Sequence, residues 1–221
     1  MDWLREIDGY CERLGPEYWA EPINAVTNAA FLVAALIMWR RTKGIAIARV
    51  LAVILASIGV GSYLFHTHAQ VWAAIADVTP ILGYILVYIY AVNRHVWGLR
   101  VLPALGLTGL FFPYVAATLP LFQMVPGVGD SAGYAPVPLL IYIYAVLLRH
   151  RAPDTARGLA IGATILVASI TFRALDEPVC GAILMGTHFM WHILNGIMLG
   201  WMIEVLRRHM LGLTRVSQTP E

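Results

Sequence analysis

Charge is scarce in this chain. Only 13% of its 221 residues are Asp, Glu, Lys or Arg, against 59% hydrophobic, a balance that belongs to a membrane protein and leaves little for a soluble domain. Lysine is rarer still, Lys43 being the only one, and it falls in a connecting segment. No span therefore offers an amine for a retinal Schiff base, which excludes a light-driven pump. The two cysteines, Cys11 and Cys180, form no CxxC pair, which argues against a thiolate metal site and allows one disulfide at most. The opening MDWLREIDGYCERLG lacks the basic n-region and apolar core of a secretory signal. Nothing there reads as cleavable, so the first span is expected to serve as the targeting signal. There is no internal repeat or low-complexity segment, and neither nucleic acid nor an obligate protein partner is expected.

What the chain does have is seven long apolar runs, at about 23–39, 45–66, 71–92, 101–118, 133–148, 158–175 and 186–206. Each is close to the roughly 20 residues that cross a hydrocarbon core. The expected fold is an all-α bundle of seven transmembrane helices over 23–206, with an acidic segment at 1–22 and a tail at 207–221. Twelve of the fifteen basic residues, Arg40 to Arg157 and Arg207, Arg208 and Arg215, flank odd-numbered span ends; only Arg5, Arg13 and Arg173 fall on the other side. The positive-inside rule then puts the N-terminus outside and the C-terminus in the cytoplasm. Both cysteines come to the outer, oxidising side and are expected to pair. The glycine-rich stretch at 126–136 is the longest outer loop and the one expected to be most mobile.

Ionisable groups inside spans are costly, so each requires a reason. His188 and His192 in GTHFMWH lie four apart, one turn apart on one helix face. His66, in GSYLFH at the end of the second run, reaches the same side and depth. Three histidines with an open position form the donor set of a catalytic zinc. Two ligands on one helix do not suit a haem, whose axial histidines face each other from separate helices. Ser62 lies one turn deeper than His66 on the same face, and Asp77 returns to that depth in the next span. Asp77 can act as general base toward the metal's water and Ser62 can donate to an oxyanion. The alternatives are a serine bonded to its own helix and an aspartate that only orients a histidine.

Asp8, Glu12, Glu17 and Glu21 crowd the segment before the first span. Such oxygen ligands suit calcium, and an ordinary solvated acidic face is the other reading. Arg173 precedes Asp176 and Glu177 by three and four residues, and an ion pair within that helix is its simplest account.

With these motifs in place, the chain resembles the alkaline ceramidase family, within the CREST group of membrane hydrolases that includes the adiponectin receptors. DGYCER with AEPINAVTN, then GSYLFH, Asp77 and GTHFMWH carry the resemblance from end to end. It implies that His66, His188 and His192 bind zinc, that Ser62 and Asp77 assist catalysis, and that Asp8, Glu12 and Glu21 bind calcium. The acidic motif departs from the eukaryotic pattern by an added residue before Cys11 and by Leu14 where an asparagine would fall. The implied activity is hydrolysis of the amide bond of a ceramide-like N-acyl lipid at a site in the outer half of the membrane. The alternative is a non-enzymatic receptor or scaffold with a structural zinc, for which a fourth protein ligand such as His68 would speak.

Overall fold

The structure is a computed structural model that describes residues 2–7 and 9–216. Seven helices are long and apolar enough to cross a membrane: Pro22–Arg41, Ala46–His68, Val71–Val96, Val101–Gln123, Gly129–Leu148, Pro153–Val179 and His188–Gly212, here spans 1 to 7. They match the seven runs expected from sequence to within a few residues. The last helix continues through Val216, so the expected tail begins inside it, and 217–221 lie outside the described residues. No strand forms among the described residues.

Span 7 is the axis of the bundle and span 4 its outlier. In the most apolar stretch of each, 56% of span 7 is buried but only 11% of span 4. Leu51, Leu55 and Ile58 of span 2 pack with Leu159 and Leu166 of span 6 and with Met198, Met202 and Ile203 of span 7. At one end of the bundle Glu204, buried in span 7, receives Arg41 at 3.0 Å, Arg207 at 2.7 Å and Arg208 at 2.8 Å. Those contacts give an intramembrane carboxylate its partners and tie span 1 to span 7.

Local chemistry accounts for two breaks. In span 1 the Thr27 hydroxyl donates to the Ile23 carbonyl at 2.8 Å and the Asn28 amide to the Asn24 carbonyl at 2.9 Å. Side chains that take backbone acceptors in this way bend a helix, and the helix divides at Asn28. Span 4 divides at Leu110, where Pro113 has no N–H for the Gly109 carbonyl.

The other end carries the N-terminal segment. Spans 2 and 3 are joined by a reversal at Ala69, which adopts φ 47°, and its carbonyl accepts the Ile7 N–H at 2.7 Å. The Val71 and Trp72 N–H groups donate to Arg5 and Trp3 at 3.2 Å each, so the segment lies against this turn. The Cys11–Cys180 disulfide ties it also to the connection after span 6. In the glycine-rich loop, 126–130 is mostly exposed while the next two residues are anchored. Ser131 and Ala132 are buried, because the Ser131 hydroxyl accepts a 2.8 Å hydrogen bond from Arg173.

Close contact between spans 2 and 3 depends on Gly61. A Cβ there would overlap the Ala76 carbonyl and press on the Asp77 backbone, whereas a Cβ at Gly83 would meet nothing within 4 Å. Overpacking of this kind costs about 1–3 kcal/mol. Gly61→Ala is expected to lower the thermal midpoint of the detergent-solubilised protein by several degrees, while Gly83→Ala leaves it unchanged or raises it slightly. Equal midpoints for the two variants would contradict the close approach.

Candidate metal centre

The reversal at Ala69 and the start of span 7 bring three histidines to one point. His66, His188 and His192 are each 0–1% exposed, and one ring nitrogen from each lies within 4.8 Å of the others. Ring centroids are 4.7 Å apart for His66–His192 and His188–His192, and 5.1 Å for His66–His188. The Nδ1 of His188 and the Nε2 of His192 are buried without a hydrogen-bond partner among the described residues. Leaving such atoms unpaired is costly, and a cation among them would use the lone pairs. The group can therefore hold a metal ion, and among the described residues no fourth His, Cys, Asp or Glu joins it. His68 instead points its Nδ1 at the Leu64 carbonyl, 3.2 Å away.

Partners behind the imidazoles settle which nitrogens are free. Glu21 accepts from His66 Nδ1 at 2.6 Å, which leaves Nε2 to face the cluster. Thr27 has already donated its hydroxyl proton to a backbone carbonyl, so it accepts from His192 Nδ1 at 2.9 Å. That choice matches the unpartnered Nε2 of the same ring. Carboxylate and hydroxyl partners of this kind orient metal-binding histidines and raise their basicity. The break in span 1 thus has a use, because it is Thr27 that reaches His192.

Glu21 is itself held by Arg13, whose Nε donates to it and whose other nitrogens reach the carbonyls of Gly15 and His66 at 3.0 Å each. Burial pushes the Glu21 carboxyl up, but the hydrogen bonds and charges of His66 and Arg13 outweigh it and hold the group below its ordinary value. Glu12 accepts the N–H groups of Ile23 and Asn24 at 2.7 and 2.8 Å and so caps the first turn of span 1. Of the carboxylates expected to take calcium, Glu12 and Glu21 thus have protein partners for their charge, and Asp8 lies outside the described residues.

Ser62 is buried one turn from His66. Asp77 is partly exposed and lies beside both, within reach of the Ser62 hydroxyl and the His66 ring. Gly61 permits that proximity. Tyr10 stacks on His188 with centroids 3.7 Å apart; burial pushes its hydroxyl far above the ordinary value, so it stays a neutral phenol over the cluster.

Arg173 departs from the sequence reading. Its expected partner Asp176 is engaged elsewhere, accepting the N–H groups of Thr187 and His188 at 2.6 and 2.8 Å and that of Cys11 at 3.0 Å. A carboxylate at the start of span 7 meets unpaired N–H groups and the positive end of the helix dipole, and Asp176 therefore sets the helix that carries two of the histidines. Arg13, Thr27, Asp176 and Tyr10 were all missed from sequence. Arg13, a basic residue among the acidic ones of its segment, was the only available signal.

A family model described as Ceramidase matches residues 9–219, nearly the whole chain. No curated protein matches the chain.

Glu21→Gln replaces an ionised acceptor behind His66 with a neutral amide. It is expected to weaken metal retention roughly 10–100-fold, the usual cost of losing such a partner, with Glu17→Gln, at an exposed position, as the unaffected control. Competition with a chelator of known affinity measures both, and equal retention in the two variants would contradict the assignment.

Proposed function

Because this chain belongs to the ceramidase family, we propose that it is a zinc-dependent membrane hydrolase that splits the amide bond of a ceramide-like N-acyl lipid into a fatty acid and a long-chain amine. The observation that carries this reading is the cluster of three buried imidazoles with two unpartnered nitrogens and no fourth protein ligand among the described residues. Three nitrogen donors with an open position are the donor set of catalytic zinc, whereas structural zinc sites are closed by four protein ligands. That difference favours the hydrolase over a receptor or scaffold.

Zinc bound by His66, His188 and His192 would supply Lewis acidity toward the amide carbonyl and a nucleophile at neutral pH. Asp77 accepts the proton that water gives up as its oxygen bonds to the carbonyl carbon. The Ser62 hydroxyl donates to the oxygen on which charge develops. Asp77 then returns the proton to the leaving nitrogen as the carbon–nitrogen bond breaks, so that a neutral amine departs and a carboxylic acid remains, which becomes a carboxylate by giving its proton to water or to the amine. One group acts as base and then as acid.

The surroundings suit a lipid. An apolar cavity between spans 3, 5, 6 and 7 ends at Tyr134 and Trp191, and Trp191 immediately precedes His192. An acyl chain can lie there with its amide at the histidines. The basic residues gather at the opposite end of the bundle, where Arg41, Arg207 and Arg208 meet on Glu204 and Arg151 lies over Trp97. By the positive-inside rule, this distribution supports a site in the outer half of the membrane.

His188→Ala is expected to lose both metal and hydrolysis of N-acyl lipids. Asp77→Asn is expected to keep most of the metal and lose at least about 100-fold in turnover, the scale of a general base. Metal analysis with product assays on both variants tests this; wild-type turnover in Asp77→Asn, or full metal content in His188→Ala, would sink the mechanism.

A further inference from the structure

Arg173 carries a permanent positive charge into the bundle with no carboxylate in direct contact, Asp77 and Asp130 acting on it only through space. Among the described residues no ion pair engages it. Its guanidinium donates to the Ser131 hydroxyl at 2.8 Å and lies 3.4 Å from that of Tyr10. The rings of Tyr134, Trp191 and Tyr10 surround it at 5.1, 5.8 and 5.9 Å from their centroids. Aromatic faces and neutral hydroxyls offset part of the cost of burying a cation, but they leave its charge unneutralised. An anion of complementary shape is the partner this cage lacks.

Two of the three rings identify the rest of that anion. Tyr134 and Trp191 also line the apolar cavity, which runs inward past Ile81, Leu140 and Met198 to Met202. From Trp191 to Met202 is about 16 Å of helix. A ligand with a carboxylate head at Arg173 and an alkyl tail in the cavity would satisfy both parts at once. Tyr10 spans the short gap to the histidines, touching Arg173 on one side and stacking on His188 on the other. We propose that Arg173, with Ser131 and the Tyr10, Tyr134 and Trp191 rings, forms a carboxylate subsite that receives a long-chain fatty acid as it leaves the reaction centre. This rests on the amidase reading for its direction, since that reaction leaves a carboxylate at the cavity mouth. Planar bidentate recognition is what a guanidinium offers a carboxylate.

The test is displacement of a fluorescent fatty acid from the purified, metal-loaded full chain by oleic acid and by oleyl alcohol, which share a tail and differ in the head. The wild-type protein is expected to prefer the acid roughly tenfold or more, Arg173→Lys to keep part of that preference and Arg173→Gln to lose it while still binding the alcohol. Equal affinity of the wild type for acid and alcohol, or an undiminished preference in Arg173→Gln, would overturn the subsite, the latter because the metal would then be the carboxylate's partner. Should Arg173→Gln fail to fold, wild-type protein stripped of metal by a chelator decides. The preference is expected to survive, and its loss would assign the carboxylate to the metal. Amide hydrolysis is measured separately, so absence of activity would count against the amidase reading without altering the acid-to-alcohol ratio.

Discussion

Three imidazoles share one depth of an apolar bundle, and two of their nitrogens have no hydrogen-bond partner among the described residues. Such burial is sustainable where a further group takes the lone pairs. Much of the surrounding structure serves to keep those nitrogens converging. Span 1 breaks so that Thr27 can fix the ring of His192; Glu21, held by Arg13, fixes the ring of His66. Asp176 and the disulfide between Cys11 and Cys180 hold the segment and the helix start that cover and carry His188. The far sides of the His66 and His192 rings are thus settled by hydrogen bonds that an apolar interior makes strong and costly to lose, and the His188 ring is covered by Tyr10.

The same arrangement separates two environments within a few residues of span 7. His188 and His192 face the polar cluster, while Trp191, Met198 and Met202 line an apolar cavity. An amphiphile is the kind of molecule that fits both, and a lipid amide can keep its tail in hydrocarbon while its head meets the histidines. Span 4 contributes no residue to the cavity lining and is the least buried span. The histidine cluster and its supports are therefore drawn from spans 1, 2, 3, 6 and 7 with the N-terminal segment.

The seven spans were legible because apolar runs of about 20 residues leave few other structures open to a chain. The histidine cluster was legible for a related reason. His188 and His192 share a helix face by their spacing alone, and the alternation of seven spans brings the end of span 2 to the side on which span 7 begins. The supports could not be read in the same way. Glu21 and Thr27 are ordinary members of an acidic segment and an apolar run until folding puts a histidine beside each. Arg173 was misread because a spacing of three residues suggested a pair within one helix, while the unpaired N–H groups at the start of span 7 made the stronger claim on Asp176. Composition likewise cannot show that Ser131, in the Gly-rich loop, accepts from Arg173.

The most direct test of the central claim is X-ray absorption at the zinc edge of the protein purified without chelators. One zinc per chain is predicted, with a first shell of three imidazole nitrogens at about 2.0–2.1 Å and one further oxygen or nitrogen, and no sulfur. A shell of four imidazoles, a shell containing sulfur, or protein that folds with far less than one metal per chain would contradict the account.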